Sequence, residues 1–259
     1  MFDTTRQAYH KRQKTMIQNF LEEQVICDAV GSIRRKQPRV GTRKLHRMLN
    51  DTGFHIGRDK LFAILRENKL LVKPNKNYKT TTNSFHRFRK YSNLIKELEV
   101  TRPNQVFVSD ITYLDTLEGF SYLALITDLG SRKIVGWDLS QSLAIEGCQR
   151  ALRMALRGVE NPKTLIHHSD RGIQYCSNGY VDILHTHEIK ISMTEEDHVY
   201  ENAIAERVNG ILKTEFLLGE KLQSFKVAKE LVQQSIKIYN QQRLHTSLDY
   251  QTPAYCYAA

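Results

Sequence analysis

Three carboxylates stand where they could share one task. Asp110 lies inside "QVFVSDITYLDT" (105–116), Asp170 closes "KTLIHHSD" just before Arg171 and Gly172, and Glu206 falls in "YENAIAERVNGILKTEFLLG". An acid at the end of a strand, ahead of a glycine turn, projects from the rim of a sheet, where ligands collect in α/β folds. Glu206 follows Asp170 after 35 intervening residues. Around it Asn202, Asn209, Gly210 and Lys213 recur at three- and four-residue spacing, with Ile204, Val208, Ile211 and Leu212 on the other side. Glu206 is therefore expected on a polar helix face that carries a basic residue two turns on. If the strands of the two aspartates are neighbours, that helix can bring Glu206 over both. Three converging acids repel unless cations lie among them. Hard oxygen donors call for Mg2+ or Mn2+. Two such ions roughly 4 Å apart serve in-line displacement at phosphorus.

The elements that must hold these acids follow from periodicity. "QVFVSDITYLDT", "FSYLALITDL" (120–129) and "RKIVGWDLS" (132–140) are β-rich runs separated by "LEG" and "GSR", a three-strand meander. "LAIEGCQRALRMALRG" (143–158) is an amphipathic helix, "KTLIHHSD" a fourth strand, "NGYVDILHTHEI" a helix and "KISMTE" a fifth strand. Two further helices, around Glu206 and over "KVAKELVQQSIKIYNQQRLHTSL", complete the chain. The order β-β-β-α-β-α-β predicts a mixed α/β sheet with flanking helices rather than a repeated dinucleotide-binding unit, and no GxGxxG is present. Asp128 in "ITDLGSR" reads as a turn-capping acid. His167 and His168 point to opposite faces of a strand, so they cannot share an ion. "HSD" cannot form a hydrolase triad from three successive residues, and no GxSxG elbow exists.

Charge divides the chain. Residues 1–90 hold 21 Lys+Arg against 7 Asp+Glu, whereas residues 91–259 hold 17 against 21. A basic front ahead of a mildly acidic body points to a polyanion, nucleic acid above all. Residues 5–71 are helical in period, with Leu45, Met48 and Leu49 and then Leu61, Ile64 and Leu65 forming two short apolar faces around "NDTGFHIGRD". Two short helices across a glycine turn, edged by Arg43, Lys44, Arg47, Arg58 and Lys60, suit a helix-turn-helix on DNA. "KPNKNYKTTTNSFHRFRKYSN" (73–93) reads as an extended basic linker. The expected division is a helix-turn-helix region over 1–72, a linker over 73–98 and an α/β core over 99–259. Four scattered cysteines without a CxxC pair suggest neither a zinc ribbon nor a disulfide framework. The start lacks a signal-peptide core and no run approaches a membrane span, so a cytoplasmic protein with no membrane partner is expected.

Several stretches resemble bacterial insertion-sequence transposases of the DDE type, and among them the downstream-frame (OrfB) protein of the "insertion sequence three" family. They are "VFVSDITYL", "LIHHSDRGIQYCS", "ENAIAERVNGILKTE", "YNQQRLHTSLDYQTP" and, in the front, "GTRKLHRMLNDTG" with "ILRENKLL". The resemblance covers nearly the whole chain. It implies a retroviral-integrase-like, ribonuclease-H-like core behind a small all-α helix-turn-helix domain. It also implies a DNA-cutting and strand-joining enzyme with Asp110, Asp170 and Glu206 as ligands of two Mg2+ or Mn2+ ions, and Lys213 near the end DNA. The partners implied are the inverted-repeat ends and target DNA, further copies of the chain on DNA, and an upstream-frame (OrfA) protein or fusion. The protein would then sit at the nucleoid. Two departures stand out: Glu201 precedes Asn202-Ala203 where the family usually has Asp, and Val208 occupies a commonly aromatic position. "FDTTRQAYHKR" resembles the end of a preceding helix-turn-helix, which suggests that part of that unit is missing. Two alternatives remain open, a decayed transposase that binds ends as a regulator and a stand-alone nuclease of the same fold.

Overall fold

A computed structural model of the chain describes residues 5–73, 88–195 and 202–259. Most of the expected basic linker, with Tyr78 and Phe85, and the departing Glu201 lie outside the described residues. The chain separates into two compact units, Met1–Pro74 and Asn75–Ala259.

The first unit contains α1 (Arg6–Arg34), α2 (Thr42–Asp51) and α3 (Arg58–Glu67). No glycine or proline interrupts residues 6–30, so α1 runs as one 29-residue helix, capped by the Thr5 hydroxyl on the Ala8 N–H. Only its last third packs: Ile26 and Val30 meet Leu45, Leu49, Leu61, Ile64 and Leu65 in the core. The turn between α2 and α3 uses Gly53 at φ 94°, which only glycine adopts without strain. Asn50 closes it, accepting from the Ile56 N–H at 3.2 Å and donating to the His46 carbonyl at 2.7 Å.

The second unit is built on β1 (Val106–Thr116), β2 (Gly119–Asp128), β3 (Ile134–Ser140), β4 (Ile166–Ser169) and β5 (Lys190–Met193), in the order β3-β2-β1-β4-β5. The first three strands are the predicted antiparallel meander. The last two run parallel to β1, with Ser109 beside Ser169 and Ser169 beside Met193. β1 is central, and Val106, Phe107 and Val108 are buried on both of its faces. On one face lie α4 (Ile145–Leu156), the short α5 (Ile173–Cys176) and α6 (Asn178–Thr186), over Phe107, Ala124 and Ile126. On the other lie α7 (Ala203–Glu215) and α8 (Phe225–Gln241), over Leu114, Leu123 and Leu125. α9 (Pro253–Ala258) follows, and its Tyr257 hydroxyl donates to Asn104 at 2.7 Å. The end of the expected linker packs as well: Ile95 and Leu98 cover Val106 and Val108, and the Leu94 N–H donates to Ser192 at 2.9 Å. Asp128 is the turn cap expected of it, accepting from both the N–H and hydroxyl of Ser131.

α4 lies tight on β3 because Gly136 has no side chain. A Cβ there would stand 2.2 Å from the Ala151 carbonyl oxygen and 2.9 Å from the Ala155 Cβ. Gly136→Ala must push helix and strand apart and is expected to cost about 3 kcal/mol in urea unfolding. A loss below about 0.5 kcal/mol contradicts this packing.

Candidate active site

Asp110 and Asp170 occupy corresponding places on adjacent parallel strands. Ser109 pairs with Ser169, so the acids follow at the next position of each chain, Asp110 still within β1 and Asp170 just past the end of β4. Each is held by its own turn of backbone: Asp110 accepts the Ile111 N–H at 2.9 Å, and Asp170 accepts the Gly172 N–H at 3.0 Å. α5, which the sequence reading did not anticipate, starts from that Gly172 turn.

α7 is fastened across β1 by two asparagines. Asn202 donates to the Ser109 carbonyl at 3.1 Å, and Asn209 donates to Asp110 Oδ2 at 2.7 Å. Both are 5% exposed. The asparagines spaced with Glu206 are turned to the sheet rather than to water, whereas Glu206, in the first turn of α7, and its neighbour Arg207 are exposed. Sequence reading had their spacing but gave them no role. Their separation of two turns on the stripe of an acid was the available signal. Val208 is buried in the core under α7 and α8.

Electrostatics tie the three acids together. Burial, followed by the Asp170 charge, pushes the Asp110 carboxyl up to about 7, and Glu206 adds to the rise against the Asn209 and Ile111 hydrogen bonds. Glu206 is likewise raised, by desolvation and then by Asp170. Among the described residues no three or more His, Cys, Asp or Glu side chains stand close enough together to hold a metal ion as they are placed. The donor set nonetheless suits a hard divalent cation: carboxylate oxygens only, partly withdrawn from water, each raising the others' affinity for positive charge.

Lys213 lies beside this group, half-buried, with its ammonium 4.0 Å from the centre of the Tyr113 ring. Desolvation lowers its pKa and the Asp110 charge opposes that. Tyr113 was missed in the sequence, where its three-residue offset from Asp110 on a strand gives no sign that Lys213 meets it. Behind the sheet His167 accepts or donates to Ser109 at 2.8 Å and Tyr180 at 2.9 Å, and burial pushes it down to about 3, so it stays neutral. His168 instead meets Ser192 at 2.8 Å, on the other face.

In the helical unit the nominated cations lie at or near its own surface. Arg43 is exposed. Arg47 pairs with Asp51 at 3.1 Å, Arg58 with Asp59 at 2.8 Å and Lys60 with Glu22 at 3.5 Å, all on the surface. Such pairs contribute little and exchange readily for another anion. Lys44 is half-buried on α2.

Comparison with known proteins agrees with this architecture. Residues 100–198 match one family of integrase core domains and residues 187–253 match another. The chain is 38% identical over 222 residues to the "Insertion element IS600 uncharacterized 31 kDa protein" of Shigella sonnei, covering 85% of this chain and 82% of that one. It is 33% identical over 224 residues to "Transposase InsF for insertion sequence IS3A" of Escherichia coli (strain K12), covering 85% and 78%. The cryo-EM structure of a simian T-cell lymphotropic virus intasome with PP2A regulatory subunit B56 gamma shares the fold, with a TM-score of 0.53, 15% identity and coverage of 86% of this chain and 72% of that one. The chain belongs to the IS3 family of insertion-sequence transposases, with an integrase-type, ribonuclease-H-like catalytic core.

Proposed function

We propose that the protein cuts and rejoins DNA at the ends of its element with Asp110, Asp170 and Glu206 as catalytic carboxylates that hold two Mg2+ or Mn2+ ions. The observation that carries this reading is the placement of Asp110 on β1 next to Asp170 just past the end of the adjacent parallel β4, with Glu206 close enough to raise Asp110. When bound, the divalent ions activate the attacking oxygen and neutralise charge on the leaving one. Water, then a freed 3′-hydroxyl, is the nucleophile. The chain's own groups orient the acids: Asn209 fixes one oxygen of Asp110, the Gly172 N–H fixes one of Asp170, and Lys213 offers a positive charge to a nearby phosphate. Arg43, Lys44, Arg47, Arg58 and Lys60 grip the inverted-repeat ends, giving up weak surface pairs for phosphates. Two ends and a target imply several copies on DNA, with an upstream-frame protein or fusion as a further partner. Among the described residues no helix is long and apolar enough to cross a membrane, and the reading places the enzyme in the bacterial cytoplasm, at the nucleoid.

The test is incubation of the protein with labelled end DNA, a target duplex and Mn2+. Cut ends joined to target are expected. Cutting without joining supports the stand-alone nuclease, and end binding without cutting supports the decayed regulator. Within this reading Asn209→Ala removes the donor to Asp110 and is expected to slow turnover about 10–100-fold. KM for DNA should hardly move, because Asn209 is buried. A KM increase with unchanged kcat contradicts the assignment.

A further inference from the structure

β1 has an open stretch beside the acids. Its pairing with β4 ends at Ser109, and on that side the next residue that bridges it, among the described residues, is Leu222 opposite Thr116. Asp110 to Leu114 therefore border a notch in the sheet, with Asp170 at the end where β4 stops. Side chains alternate along a strand, so Leu114 packs under α7 and α8 while Tyr113, paired with Tyr122, belongs to the opposite face. Lys213 comes from α7, yet its ammonium stands 4.0 Å from the centre of the Tyr113 ring. The lysine reaches that ring across the edge that β4 leaves open.

Both ends of this side chain are constrained. At its base the chain turns back after α7 through Leu217 at φ 62°, and the Gly219 N–H donates to the Lys213 carbonyl at 3.0 Å. Gly219 lies so close that a Cβ there would stand 3.3 Å from the Lys213 Cβ, which narrows the directions open to the stem. At its head the Tyr113 ring takes the ammonium and is itself packed at right angles to Phe120, with ring centres 5.4 Å apart and planes at 80°. A ring suits this place better than an acid. A carboxylate would cancel the positive charge and add a fourth anion to a group that already repels. An aromatic face attracts the cation through its quadrupole, keeps the charge whole and leaves the N–H donors to an oxygen partner.

We propose that Tyr113 is a positioning residue: its ring holds the Lys213 ammonium in the notch beside Asp110, where the cation takes a phosphate of the substrate strand next to the one being cut. This role rests on the catalytic reading above. The test uses the whole chain with labelled end DNA and Mn2+. Tyr113→Leu is expected to lower kcat/KM for cutting about tenfold, and Tyr113→Phe, which keeps the ring, to stay within about twofold of wild type. In a Lys213→Ala background Tyr113→Leu should cost less than about twofold more, because no ammonium is left to hold. Lys213→Ala should also reduce the slope of log kcat/KM against log salt by about one, the loss of one phosphate contact. Without DNA or metal, the Lys213 ε-methylene proton resonances, identified by their absence from Lys213→Ala, should lie upfield of those of the other lysines through the Tyr113 ring current. They should rejoin the others in Tyr113→Leu. Equal losses from Tyr113→Leu with and without the lysine, no retention by Tyr113→Phe, an unchanged salt slope or unshifted resonances each overturn this role and leave the acids' assignment standing. A wild type with shifted resonances that does not cut overturns the catalytic reading, and this role with it.

Discussion

Asp110→Asn, Asp170→Asn and Glu206→Gln are each expected to depress cutting and joining of end DNA by at least about 10³-fold while the metal-free protein stays folded. Each change keeps the side-chain shape and removes the charge on which cation binding depends. The stability response distinguishes this from trivial misfolding. Asp110 titrates at about 7 in the folded state against an ordinary value of 3.8, raised first by burial and then by Asp170. A raised carboxyl means that the folded state holds its proton more tightly than the unfolded chain does. The protonated group's contribution is therefore complete below about pH 4 and is lost as pH rises through about 7. Metal-free wild type should lose roughly 2–4 kcal/mol of stability over that window, an effect shared by the coupled acids. Glu206, raised in the same direction, adds to the trend. Asp110→Asn should flatten the profile and be more stable than wild type at pH 8. Melting curves from pH 4 to 8 check this, and a variant less stable than wild type at pH 8 opposes it.

Arg243→Ala should produce the largest loss of stability outside the apolar core, about 3 kcal/mol. The guanidinium is 4% exposed and donates from Nε and Nη2 to the two oxygens of Glu215 at 2.8 and 2.7 Å. This two-pronged contact joins the residues after α8 to the last turn of α7. α8 is itself tied to the sheet: Asn240 accepts the Ile134 N–H and donates to the Ile134 carbonyl, both at 2.9 Å, and the Tyr239 hydroxyl donates to the Arg132 carbonyl at 3.0 Å. Removing the cation leaves a partly buried Glu215 carboxylate without its guanidinium and frees the helix that carries Glu206. Arg243→Lys keeps charge but loses the fork and should cost about half as much. Urea unfolding measures both, and a change under about 1 kcal/mol for the alanine variant means that the pair does not hold α7 in place.

These two predictions also mark where sequence was readable. All five strands were legible because the meander alternates or runs apolar between turn residues, and Asp110, Asp170 and Glu206 stood out as acids that could converge only with cations among them. The parallel pairing of β1 with β4, which makes the aspartates neighbours, was a condition the sequence could state but not decide, since strand order is set by helices packing on both faces. Asn202 and Asn209 were placed on the polar face of the Glu206 helix but given no role, because pattern does not tell a polar residue that bonds a strand from one that faces water, and both are buried against β1. Arg243 and Glu215 stand 28 residues apart, and nothing in local spacing links them. α5 is only four residues long, too short to carry a period. The exposed apolar residues early in α1 were absorbed into a general helical reading, since sequence pattern alone does not tell a packed residue from an unpacked one.

The central claim is that Asp110, Asp170 and Glu206 form one divalent-cation site. Thermal melting of metal-free protein at pH 7, titrated with Mn2+, tests it most directly. Wild type should rise in Tm with a saturable dependence on Mn2+, and Asp110→Asn, Asp170→Asn and Glu206→Gln should each lose most of that rise. A wild type that does not respond, or three variants that respond as wild type does, contradicts it.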